Sequence, residues 1–272
     1  MNTAIRIFVA VFLFSLPLLS GCGKSSTDST GSGSGGNANS SDDSKRTILK
    51  VKDVEFPFRW CPPGTFTMGS PASERDRRND EAQHSVTLSK EFLMLETPVT
   101  QEMWESVMEN NPSAFKGSKK LPVENVSWND CQEYVQKLNG LGVAPKGYRF
   151  SLPTEAQWEY ACRAGTTTAY SFGDTLEKSQ VAFGDSKTVE VASYPANAWG
   201  LYDMHGNVWE WCQDWYGEYP SGAVTDPVGS PNDSIVWFVA GVGSAMPGIA
   251  GLRIGATSIR RSGSATLVFV FA

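Results

Sequence analysis

Apolar side chains recur at helical spacing in three stretches of the chain. In Leu152-Pro153-Thr154-Glu155-Ala156-Gln157-Trp158, Thr154 is placed to cap the free amides and Gln157 to reach back three residues; Trp158, Ala161 and Cys162 then share a face until Gly165 stops the turn. Val126-Ser127-Trp128-Asn129-Asp130 opens a second helix in the same way, with Cys131, Tyr134, Val135 and Leu138 inward and Gly140 as its stop. Thr100 begins a third, carrying Met103, Trp104, Val107 and Met108. Between them lie short β-like runs at 60–68, around Pro62-Pro63-Gly64, at 86–95 and at 147–152, separated by many turn residues. So few regular elements leave long loops that side chains must hold. Trp and Tyr suit that task, since each buries a large ring and offers a polar tip to nearby backbone.

The amino-terminal pattern is different. Residues 7–19 form an apolar run broken only by Ser15 and Pro17, too short to cross a bilayer as a permanent helix and suited to a signal peptide. The run ends in Leu19-Ser20-Gly21-Cys22, which resembles a bacterial lipoprotein lipobox. That resemblance implies a signal peptide over 1–21, cleavage before Cys22, and acyl chains on Cys22 that hold the protein at a membrane of the cell envelope. Gly23 rather than Asp after that cysteine points to the outer membrane or cell surface. The alternative is an ordinary secretory signal with an incidental cysteine. Residues 22–46 are a Gly- and Ser-rich tether almost without large apolar side chains, which cannot offset the entropy of ordering. Structured sequence starts near Thr47 and forms one domain over 47–234.

Charge narrows the function classes. The 272 residues carry 23 Lys and Arg against 29 Asp and Glu, a net charge of −6, which excludes a basic nucleic-acid binder. The same acidity gives no attraction to anionic lipid, so membrane attachment rests on the acyl chains. Two histidines and five cysteines at irregular spacing offer too few nitrogen and sulfur ligands for a zinc or haem site.

Five longer motifs occur in order: Pro62-Pro63-Gly64-Thr65-Phe66-Thr67-Met68-Gly69-Ser70, Thr97-Pro98-Val99-Thr100, Pro122-Val123-Glu124-Asn125-Val126-Ser127-Trp128, Arg149 to Ala161, and Asn197 to Trp211. Together, over residues 56 to about 234, they resemble the formylglycine-generating enzyme, or sulfatase-modifying factor, family. The resemblance implies an α+β domain with the C-type-lectin-like fold of that family and little regular secondary structure. In the enzyme, it also implies, two cysteines in the C-terminal part hold copper and oxidise a substrate cysteine; thiolates are the ligands Cu(I) prefers. Here the last cysteine is Cys212, and the iron-dependent branch needs three histidines where this chain has two. Copper is therefore not expected, no catalytic residue is assigned, and the expectation is a non-catalytic binding or scaffold domain for a protein or carbohydrate ligand. The alternatives are a formylglycine-generating-type oxidoreductase acting on a protein substrate and a decayed gene product.

A structural Ca²⁺ site carries over better. The resemblance implies that Asp203, Gly206, Val208 and Glu210 bind calcium through two side-chain and two main-chain oxygens, hard donors from a tight turn. The alternative is that Asp203 and Glu210 only hydrogen-bond the turn. A second calcium site of the family expects Asn near Ala182, where this chain departs from it. Cys61, Cys131, Cys162 and Cys212 read as buried thiols, with pairing in an oxidising compartment as the alternative. Residues 74–81, which mix both charge signs, read as a solvated loop.

The tail breaks the pattern. From Ile235 to Ala272 there is no Asp, Glu, Lys, Asn, Gln, His, Cys or Tyr. A late apolar segment explains part of this, although its glycines and Pro247 make a poor spanning helix. A one-base frameshift near Ser234 explains more. When the last base of each codon is joined to the next two, Phe238 to Gly243 permit Arg, three Gly and Trp, Met246-Pro247 compels Ala, Ser258 to Arg261 permit Asp-Pro-Ser, and Leu267 to Val270 permit Gly-Phe-Arg. These are motifs that the family would place here, in one register. On this reading 235–272 is an aberrant segment that leaves core strands poorly packed, and Leu267 to Phe271 is its sticky part.

Overall fold

The computed structural model describes residues 45–74, 77, 80–182, 187–215 and 217–229, together with strand segments at 236–240, 253–255, 265–267 and 270–271. All belong to the second of two compact units, Ser40–Ala272. The signal peptide, Cys22 and most of the tether lie outside the described residues.

The architecture is α+β with low regular content, as the family resemblance implies. Strands β1 (Arg46–Val51), β2 (Val54–Cys61), β3 (Gly64–Met68), β4 (His84–Leu88) and β5 (Phe92–Leu95) precede helices α1 (Gln101–Met108) and α2 (Trp128–Gly140). Then come β6 (Phe150–Ser151), α3 (Glu155–Arg163), β7 (Trp209–Trp215), β8 (Val224–Thr225), β9 (Val236–Ala240), β10 (Arg253–Gly255), β11 (Ala265–Leu267) and β12 (Val270–Phe271). Three sheets result, with orders β1-β2-β5-β12-β6, β10-β9-β7-β11 and β3-β4-β8.

The capping grammar reads out at all three helices. Thr154 accepts from the amide of Gln157, whose side chain reaches back to Thr154, and Ser127 forms the same reciprocal box with Asp130. Thr100 accepts from the amide of Met103. Cys131, Tyr134, Val135 and Leu138 are the buried face of α2. At α1 Met103 and Trp104 are buried, and the polar Ser106 joins them. Ser106 is buried because its hydroxyl donates to the carbonyl of Met103, whereas Val107 and Met108 are half-buried against the core edge.

Indole N–H groups pin the loops. Trp128 donates to the carbonyl of Cys212, Trp211 to that of Val126, and Trp104 to the side chain of Asn110. The first two tie α2 and the turn before it to β7 across more than eighty residues of sequence. β1 is fastened by Arg46, whose Nε and Nη2 donate to Glu96 at 2.6 and 2.9 Å.

Segments of the tail enter the sheets. β9 runs antiparallel to β7, β11 parallel to it, and β12 lies between β5 and β6. The remainder of 235–272 lies outside the described residues. The expectation of a solvated loop over 74–81 is corrected at Glu81, which is 1% exposed and accepts from the Ser70 hydroxyl. Burial of a carboxylate requires such a donor. Arg77 closes the same turn by donating Nε to the carbonyl of Ser70.

Candidate functional site

The turn between residue 203 and β7 carries the four residues implied as calcium ligands, and its backbone is unusual. Asp203, Gly206 and Asn207 have φ of 57°, 130° and 66°, so the chain doubles back through the left-handed region. At Gly206 a Cβ would fall 2.6 Å from the carbonyl oxygen of Ala182 and 2.7 Å from Val181 Cγ2, so only glycine fits. The amide of Asn207 donates to the Ala182 carbonyl, and its side chain both accepts from and donates to the backbone of Val189. Asp203 accepts from the amide of Ala192 at 2.8 Å. The turn is thereby clamped between 182 and the 189–192 segment.

Asp203 and Glu210 come together in this clamp, with 9% and 1% of their surfaces exposed. One Glu210 oxygen accepts from the indole of Trp158; the other, Oε1, is buried without a hydrogen-bond partner among the described residues. Burial pushes the Glu210 carboxyl up to about 8, against the lowering effect of the Trp158 bond and with a further push from Asp203. Burial likewise pushes Asp203 up to about 6, against its bonds to Ala192 and Asn207. Two neighbouring buried carboxyls, one with an orphaned oxygen, form an arrangement that a hard cation completes. The carbonyls of Gly206 and Val208 are the further donors that the family resemblance implies, on the same turn. Val208 is buried, and its amide donates to the carbonyl of Gly206 at 2.8 Å. No three His, Cys, Asp or Glu side chains cluster as a metal site among the described residues, so any cation here needs main-chain donors as well.

The shifts predict a pH dependence. An acid whose folded pKa lies above its ordinary value holds its proton longer in the folded chain. The stability this confers is complete below about 4 and is lost as the pH rises through 6 and 8. Protein stripped of divalent ions should therefore lose stability between pH 5 and 8.5, by an amount of order a few kcal/mol. Glu210→Gln should flatten that profile, and thermal unfolding in chelator at several pH values measures both.

His205 exposes a pair that the motif reading missed. Its Nε2 lies 3.6 Å from Cys162 Sγ and accepts from the amide of Ser171 at 3.1 Å. A thiol beside an imidazole is the arrangement of a nucleophile and its base, but both groups are fully buried. Burial pushes the Cys162 thiol up and, with the Arg163 charge, pushes the imidazole down to about 4. The pair is neutral at physiological pH and packs as core, because a reactive cysteine needs its thiolate stabilised. No sequence spacing signals it, since 43 residues separate the two.

Cys61, Cys131, Cys162 and Cys212 are all free and buried. Burial pushes each thiol well above its ordinary range. Such groups behave as small apolar side chains.

The fold and the motif-bearing turn define the class: the chain belongs to the family of the sulfatase-modifying factor enzyme 1-like domain, whose model matches residues 57–245. Among individual proteins, it is 36% identical over 180 residues to the serine/threonine-protein kinase pkn1 of Chlamydia caviae, covering 57% of this chain and 27% of that one. It is 37% identical over 136 residues to the formylglycine-generating enzyme of Streptomyces coelicolor, covering 43% of this chain and 40% of the relative. Among solved structures, Treponema denticola variable protein 1 superposes with a TM-score of 0.73 at 29% identity, over 83% of this chain and 98% of that one. This chain thus spans about a quarter to two fifths of these two sequence relatives and nearly all of the solved structure.

Proposed function

We propose that this chain is a lipid-anchored binding or scaffold domain of the cell envelope, stiffened by calcium and without the thiol-oxidising chemistry of the formylglycine-generating enzymes. The observation that carries the reading is the state of the cysteines. The four in the domain are buried thiols pushed away from ionisation, and the sequence holds none after Cys212. Cu(I) chemistry needs accessible thiolates. Calcium is supported by the orphaned Glu210 oxygen beside Asp203, and anchoring by the Leu19-Ser20-Gly21-Cys22 sequence. Among the described residues no helix is long and apolar enough to cross a membrane.

The test is oxygen consumption by purified, copper-supplemented protein on a cysteine-containing peptide. We expect no turnover and no retained copper; turnover would move the chain to the oxidoreductase reading. Radiolabelled palmitate should enter the wild type and not Cys22→Ser.

The tail we read as the product of a frameshift near Ser234. What supports this is the abrupt loss of eight residue types after that position. The nucleotide sequence across Ser234 decides it: a shifted frame without the Arg-Gly-Gly, Asp-Pro-Ser and Gly-Phe-Arg motifs removes the reading.

A further inference from the structure

One stretch of this acidic chain carries the opposite charge. Between Glu109 and Glu124 there is no Asp or Glu, while Lys116, Lys119 and Lys120 fall within five residues. All three lysines are exposed, and none of them is in an ion pair among the described residues. Lys116 Nζ donates to the carbonyl of Asn111 at 3.3 Å. Beside them stands Phe115, 38% exposed, the aromatic residue among the large apolar side chains left at the surface of the described part. At Gly117 nothing lies within 4 Å of the place a Cβ would take, so the loop opens to solvent there.

The loop is held in this form from inside. The Phe115 amide donates to Glu124 Oε1 and its carbonyl accepts from Gln101 Nε2, each at 2.8 Å, and Glu124 and Gln101 are themselves 1% and 3% exposed. The Asn111 side chain accepts from the Ser113 amide and donates to Gln101. The carbonyls of Lys119 and Lys120 accept from the amides of Glu102 and Val191. A main chain fixed at so many points cannot carry Phe115 under the surface without breaking these bonds. Setting Glu102, joined to Lys119 through its amide, against the three lysines leaves a local net charge of three minus one, or +2. The overall charge of −6 does not decide how this loop meets a charged surface, because salt screens contributions from beyond about 8 Å. An aromatic ring flanked by lysines with apolar stems is a composition that seats at the boundary of lipid headgroups and acyl chains.

We propose that the loop 112–120 docks on anionic lipid of the membrane that holds the chain, with Phe115 entering the headgroup–acyl boundary and Lys116, Lys119 and Lys120 meeting headgroup phosphates. The proposal rests on the anchored reading above. Residues 23–44, drawn out fully, reach at most about 75 Å. An acylated Cys22 therefore keeps the loop at a local concentration on the order of millimolar beside the bilayer, and a weak patch then suffices. Each positive charge near an anionic surface strengthens adsorption about fivefold, so a net charge of two contributes about 25-fold. Attachment still rests on the acyl chains; docking adds a fixed orientation of the domain.

The experiment is amine acetylation of the full chain in vesicles, read lysine by lysine by mass spectrometry. One set of vesicles is phosphatidylcholine alone and the other has phosphatidylglycerol as about a third of its lipid. In low salt, Lys116, Lys119 and Lys120 should react at least about fivefold more slowly in the anionic vesicles, and the difference should vanish at about 0.5 M salt. The exposed Lys90 and Lys178 are the internal references and should react equally in both. Equal rates at the three loop lysines, or slowing of the references to the same degree, overturns the proposal. Slowing by inorganic phosphate on neutral vesicles to the same extent assigns the lysines to a free anion and also overturns it. Two variants at exposed positions tie the effect to the loop. Lys119→Glu combined with Lys120→Glu should return Lys116 to its rate in neutral vesicles, and Phe115→Ser should reduce its protection several-fold. Unchanged protection in the first variant overturns the docking, and in the second the insertion of the ring. Flotation with neutral vesicles at high salt reports the anchor alone. A chain that floats there yet shows equal rates is anchored without docking, whereas one that fails to float lacks the premise.

Discussion

Glu159→Ala should destabilise the domain by about 3–5 kcal/mol, because it strips a buried cation of its counter-ion. Glu159 and Arg163 are 2% and 7% exposed and pair at 2.8 Å one turn apart on α3. The same two side chains grip the turn after β3. Glu159 Oε1 accepts from the amide of Gly69 at 2.9 Å, and Arg163 Nη2 donates to the Gly69 carbonyl at 3.0 Å. Arg163 also donates to the carbonyl of Thr168. Truncating Glu159 leaves a guanidinium dry and one amide unpaired, and Glu74 lies near enough only to lessen the charge imbalance. Replacing both partners by Met removes the uncompensated charge and should recover part of the loss. Recovery stays incomplete, since both backbone groups of Gly69 remain without partners. Urea unfolding of the single and double variants measures this; a single variant within about 1 kcal/mol of wild type would show that water reaches the pair.

Gly206→Ala should be nearly as costly and should also remove calcium binding. The added methyl would sit 2.6 Å from the Ala182 oxygen at a φ of 130°, so steric overlap and backbone strain combine to roughly 2–5 kcal/mol. The turn must shift, and with it the spacing between Asp203 and Glu210. Gly142→Ala is the control. Its φ is also positive, at 65°, but nothing lies within 4 Å of the position the new methyl would take, so about 1 kcal/mol of backbone strain is all it should lose. Differential unfolding with and without calcium separates the two effects. Calcium should raise the midpoint of wild type and of Gly142→Ala, and leave that of Gly206→Ala unchanged.

The helices were readable because their signals are local. A cap and its reciprocal partner sit three residues apart, and Cys131, Tyr134, Val135 and Leu138 repeat at the helical period, so neighbours alone determine them. Ser106 escaped because its burial depends on a bond to the Met103 carbonyl, which polarity alone argues against. Glu81 escaped for the same reason: a charged residue in a charged run reads as solvated until the Ser70 hydroxyl is seen beside it. The turn 203–210 was legible through its motif, while the clamp around it was not, since Ala182, Val189 and Ala192 carry no chemical signature.

Asn197 has a temporal consequence. Its side chain donates to the carbonyls of Ala161 and Cys162, in the last turn of α3, and accepts from the amides of Trp199 and Leu201. The helix end is thus finished by a residue 36 positions later. At ribosomal speeds of roughly 5–20 residues per second, α3 emerges about two to seven seconds before its closing residue exists. During that interval the carbonyls of Ala161 and Cys162 must be served by water, and the nascent chain cannot lock its centre until the loop arrives.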